Sequence, residues 1–140
     1  MLFRSLMSHF ALHVGLPMKR EVMGKWLREK LTDSDYGIME SCPYYFDVWN
    51  GSAVGPELGK VTSLICFDLL IECGSLLEIL RRTIEIEGDT DSVAAIAMAI
   101  GSTRKPDDLP AFMHNNLEVG TKFGSKRLKD FGKKLIKKFA

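Results

Sequence analysis

Apolar residues recur three and four positions apart through most of this chain, the spacing that predicts helices. Leu2, Leu6, Phe10 and Val14 share one face, so a first helix is expected over 2–14, stopped by Gly15 and Pro17. Val22, Trp26, Leu27 and Leu31 carry the pattern over 18–31. The spacing then fails. Residues 32–56, TDSDYGIMESCPYYFDVWNGSAVGP, mix glycine, serine and aspartate with aromatics and predict a long loop. Tyr44, Tyr45, Phe46 and Trp49 argue for packing there rather than disorder.

Helical spacing returns near residue 58 and runs through VTSLICFDLLIEC to Gly74. Ser75 with Glu78 forms a capping-box pattern ahead of LLEILRRTIEI. A further helix is expected to start at Thr90 or Asp91 and to end at Gly101. After the polar connection STRKPDD comes a short helix, LPAFMHNNLE, with Asp108 as its cap, Pro110 in its first turn and Gly120 as its stop. A basic amphipathic helix over 125–139, interrupted at Gly132, closes the chain. No internal repeat is present. The expected fold class is all-α, a multi-helix orthogonal bundle, in a single partial domain over 1–140.

Composition adds limits. Hydrophobic residues make up 46% and charged residues 26%, ordinary for a globular domain, and the net charge of +1 demands neither nucleic acid nor membrane as a partner. The N-terminal apolar stretch is broken by Arg4, Ser5, Ser8, His9 and His13, which rules against a bilayer span. Cys42, Cys66 and Cys73 lack metal-type pairing; Cys66 and Cys73, seven apart in apolar sequence, read as buried thiols of a cytoplasmic protein. His9 and His13 have no third ligand and read as helix-face histidines. The lysines at 126, 129, 133, 134, 137 and 138 read as a solvated face.

Candidate chemistry concentrates in EGDTDSVAAIAMAIG, residues 87–101. Asp89, Asp91 and Ser92 offer three hard oxygens, the ligand type that Mg²⁺ takes, at the positive end of a helix. A carboxylate pair held in the interior would need a countercharge. The plainer reading is a helix N-cap. An EF-hand is excluded, since its sixth-position glycine and distal glutamate are missing. The D-x-D-x-[TV] string of haloacid-dehalogenase-type phosphotransferases should follow a buried strand, and IEIEG is too polar for one.

In context, EGDTDSVAAIAMAIGS followed by DDLPAFMHNNLEVGTKFGSKRLKDFGKKL resembles the C-terminal part of the ADP-ribosylglycohydrolase family, the relatives of dinitrogenase-reductase-activating glycohydrolase. GKVTSLICFDLLIECGSLLEILRRTIEI fits the two helices that precede the motif there, and the likeness spans roughly residues 55 to 135. The resemblance implies an all-helical fold with two Mg²⁺ ions that cleaves ADP-ribosyl glycosidic bonds. It implies Asp89, Asp91 and Ser92 as metal ligands, and ADP-ribose or an ADP-ribosylated protein as the partner. No catalytic residue carries over. The family's GD-x-x-G and T-D-D motifs are missing; TDSDYG at 32–37 does not set two aspartates side by side, and Glu87 stands where relatives carry glycine. The expectation is therefore a C-terminal half, incomplete as a lone chain, whose open helix faces favour a homo-oligomer or a complementing partner chain. The alternative is a non-catalytic ADP-ribose- or protein-binding remnant.

Overall fold

A computed structural model describes residues 2–32, 58–86 and 90–139, and among these the chain is all-α, without a strand. The expected aromatic loop over 32–56 lies, apart from Thr32, outside the described residues. Contacts divide the chain into two compact units, Met1–Asp107 and Asp108–Ala140.

In the first unit, α1 (Leu2–His9) runs directly into a π-helical segment, Phe10–Val14. Together they occupy the stretch expected as one helix. Gly15 closes it in the left-handed conformation (φ 70°), where a side chain would be strained. α2 (Arg20–Arg28) buries Met23, Gly24 and Leu27. Trp26 stacks on His9 (5.9 Å, 12°) and meets Phe10 edge-on (5.4 Å), joining α2 to the first helix.

The centre of the unit is α3 (Leu58–Glu72). Every residue from 61 to 70 is buried, so this helix has no polar face. Such a helix is stable only when surrounded. It packs on α1, on α4 (Leu76–Ile86) and on α5 (Thr90–Gly101). α4 buries Leu76, Ile79, Thr83 and Ile86, spaced three and four apart, and turns Glu78, Arg81, Arg82 and Glu85 outward. Each buried Leu or Ile contributes roughly 1.5 to 3 kcal/mol through area removed from water.

One charge lies inside this core. Asp68 of α3 is buried, and its Oδ1 accepts a 2.6 Å bond from Arg20 Nη2. The same nitrogen reaches Glu72 Oε1 at 3.1 Å, one turn further along α3, and the guanidinium lies 5.6 Å from the Phe67 ring. Burial pushes the Asp68 carboxyl above its ordinary value of 3.8, against the opposing pull of Arg20. Burial alone would lower Arg20, but its bonds and charge pairing with Asp68 and Glu72 outweigh that and raise it.

Several local expectations change. The reciprocal capping box at Ser75 is shifted: Glu78 N–H donates to Ser75 Oγ (3.2 Å), while Glu78 Oε2 accepts from Gly74 N–H (2.6 Å) rather than from Ser75. In the second unit, α6 spans only Ala111–Asn115, and Pro110, not Asp108, occupies its N-cap without a side-chain bond. The chain leaves that helix before Gly120, through Glu118 (φ 45°) and Gly120 (φ 85°). α7 (Ser125–Phe139) runs unbroken through Gly132. A single interior glycine costs only about 1 kcal/mol, too little to break an otherwise regular helix. Gly124 is the glycine the turn requires, because a Cβ there would lie 2.6 Å from the Glu118 carbonyl oxygen.

Replacing Arg20 by Met strands a buried carboxylate. The expected cost is about 2 to 3 kcal/mol at pH 7, below the full value for a buried pair because the Arg20 side chain is partly exposed. Asp68 takes up its proton in the folded chain before the unfolded chain does, so acidification through the window above 3.8 relieves the penalty. Urea unfolding of wild type and Arg20→Met from pH 7 to pH 4 should show the gap narrowing. A gap independent of pH contradicts the assignment.

Candidate functional site

The candidate motif meets the fold at the start of α5. The helix begins at Thr90, as its spacing predicts, three residues after α4 ends at Ile86. Val93, Ala97 and Ile100 are buried against α3 and α4. The Cys66 thiol of α3 donates to the Val93 carbonyl (3.7 Å), which ties the first turn of α5 to the central helix. The far end is tighter still. A Cβ on Gly101 would lie 2.8 Å from Ile79 Cδ1, 3.4 Å from Leu76 Cδ2 and 3.6 Å from Leu70 Cδ2. Close helix approach therefore rests on Gly101 and Ala97, whereas Ala95 and Ala99 are exposed.

Asp91 stands in the first turn of α5 and is exposed; Ser92 is half-buried. Asp89, with Glu87 and Gly88, lies outside the described residues. The expectation of a buried carboxylate pair thus does not hold for Asp91, whose charge water already solvates. A carboxylate in the first turn stabilises the helix by roughly 0.3 to 1 kcal/mol through the dipole, whatever else it does. Asp91 and Ser92 have the oxygen chemistry that magnesium takes. Among the described residues, however, no group of three His, Cys, Asp or Glu side chains could hold a metal ion. A complete shell requires donors beyond these two.

His9 and His13 lie 4.9 Å apart between ring centroids, on exposed positions, and join no such group. Cys66 and Cys73 are buried free thiols. Burial pushes Cys66 up to about 12 and, with the charge of Glu78 adding to it, Cys73 up to about 11.

A polar clasp is the feature that the sequence pattern did not disclose. In the segment expected as a plain connection, Arg104 Nε donates to the Ala11 carbonyl of the π-helical segment, and Lys105 Nζ donates to the Cys73 carbonyl just past α3. Leu76 N–H donates to the Pro106 carbonyl (3.2 Å), so the same segment also binds the start of α4. The last carbonyls of a helix have no partner within it and carry its negative dipole end, which cations stabilise. Burial lowers Lys105 from its ordinary value, as that position requires. Only the cationic character of STRKPDD hints at this role; the partners are set by tertiary structure.

No family model, curated protein or solved structure matches this chain.

Thiols this poorly ionised should be inert. In a Cys42→Ser chain at pH 8, a thiol reagent is expected to modify Cys66 and Cys73 at least about 100-fold more slowly than a free cysteine, and rapidly once the chain unfolds. Native-state labelling at the free-cysteine rate contradicts the burial described above.

Proposed function

We propose that the chain is an ADP-ribosylglycohydrolase-type half-domain, whose GDTDS motif contributes Asp89, Asp91 and Ser92 to a magnesium site acting on ADP-ribosyl glycosidic bonds. The observation that carries this reading is the motif in its setting. GDTDS precedes and enters α5, a helix of mostly small residues, and follows two helices of the lengths the resemblance implies. Ser92 and Asp91 fall in the first turn, where backbone N–H groups favour anionic ligands such as a diphosphate. Bound magnesium supplies fixed positive charge that orients ribose hydroxyls and stabilises developing negative charge. The chain's own contribution is positional: α5 is gripped by the α3 and α4 side chains at Gly101 and by the Cys66–Val93 bond near its start.

The missing GD-x-x-G and T-D-D elements make hydrolysis dependent on another polypeptide, either a second copy or a complementing chain. Two buried, unpaired thiols support a reducing compartment such as the cytoplasm. A second reading, a non-catalytic remnant that binds ADP-ribose or a protein, is favoured by the exposure of Asp91.

Calorimetric titration of Mg²⁺ tests the metal claim. Wild type is expected to bind weakly and Asp91→Ala at least tenfold more weakly, with helix content unchanged by circular dichroism. Equal, negligible binding by both removes the metal site. Release of free ADP-ribose from a modified protein in Mg²⁺, lost in Asp89→Asn, separates hydrolase from remnant.

A further inference from the structure

The second unit carries a surface that the proposed hydrolase reading does not use. α7 places Leu128, Phe131, Leu135 and Ile136 at i, i+3, i+7 and i+8, one continuous stripe. They remain 54%, 48%, 57% and 70% exposed. The rest of the helix is cationic. Residues 125–139 hold Lys126, Arg127, Lys129, Lys133, Lys134, Lys137 and Lys138 against the single acid Asp130, a net charge of +6. The cations edge the apolar stripe: Arg127 lies 5.2 Å and Lys134 6.0 Å from the Phe131 ring centroid. One turn before the helix, Phe123 is also exposed, with Lys122 4.9 Å from its ring. Lys122, Lys126, Arg127 and Lys134 border a groove of about 410 Å³ floored by Phe131, with Asp130 on its wall.

We propose that α7 docks in the plane of an anionic lipid bilayer, its apolar stripe at the acyl boundary and its cations among the headgroups. The choice of occupant follows from charge and shape together. Nucleic acid would neutralise the cations and leave four apolar side chains in water. A second copy of the helix would cover the stripe while setting +6 against +6 along its edges. An anionic bilayer satisfies both halves of the helix at once. Long lysine and arginine stems beside a stripe reach outward to headgroups while their methylenes stay with the apolar face. The helix lies on the surface rather than crossing it: among the described residues no helix is long and apolar enough to span a membrane, and 15 residues extend only about 22 Å.

Co-sedimentation of the full chain with lipid vesicles tests this. Binding to phosphatidylserine-containing vesicles is expected to exceed binding to pure phosphatidylcholine by more than about tenfold and to fall as salt rises. Leu128→Gln with Leu135→Gln should abolish it, as should joint replacement of Lys126, Lys133 and Lys137 by Gln. An unchanged melting transition of the helical core shows that either variant still folds, and the salt series needs no variant. Three results overturn the proposal: no binding to anionic vesicles at low salt, equal binding to neutral vesicles, or a solution dimer lost in Leu128→Gln/Leu135→Gln without vesicle binding. None of these readouts depends on magnesium or ADP-ribose, so loss of the hydrolase reading leaves this proposal standing, and the reverse.

Discussion

A helix with no polar face must be enclosed, and α3 imposes that requirement on the first unit. Its residues 61 to 70 are all buried. α1, α4 and α5 pack around it, and α2 is tied to it by Arg20. Each of those neighbours is amphipathic or small-sided, so each can offer one apolar surface to the centre and one polar surface to water. The buried Asp68 sits in this setting as a specification rather than a gain. A carboxylate within an apolar helix tolerates only the arrangement in which Arg20 reaches it, and that fixes where α2 begins along α3. Replacing such a pair with apolar residues often leaves stability unchanged or raises it, so its value here is in register.

Enclosure creates a second problem at the helix ends. Carbonyls at the ends of the π-helical segment and of α3 face inward, where water cannot satisfy them. The 104–106 segment answers both with two cations and one backbone carbonyl. It follows α5 directly, so the helix carrying the candidate motif is anchored at its end by the same clasp that closes the other helices. At its start the Cys66–Val93 bond performs the corresponding task, and there the placement of Asp91 and Ser92 is decided.

The fold class and most helix positions were legible because they are local properties. The three-and-four spacing of Leu76, Ile79, Thr83 and Ile86, and the start of α5 at Thr90, follow from short-range pattern. Burial of Cys66 and Cys73 followed from the same pattern. What escaped was long-range or finely geometric. Arg20 and Asp68 are 48 residues apart, Arg104 and Ala11 are 93, and no periodicity couples them. The capping box moved by one residue because Gly74, without a side chain, lets its N–H reach Glu78 first. Asp108 matched a capping pattern, yet the helix starts three residues later, at Ala111. At the candidate site the sequence supplied donor types and their order along the chain. It did not supply exposure, and Asp91 proved to be solvated.

The two units solve the hydrophobic problem in opposite ways, and that contrast carries functional weight. From Met7 to Ile100 the large apolar side chains converge on α3. From Asp108 onward, Gly124 is the one fully buried residue among those whose exposure is described, and the apolar residues of α7 lie on its surface. An amphipathic helix of net charge +6 gains little from isolation in water, because its apolar stripe stays hydrated and its cations repel one another. Its free energy falls when a surface both apolar and anionic is presented to it. A chain that encloses one helix on every side and leaves another open on its apolar face has separated the part that sets a rigid frame from the part that meets a partner.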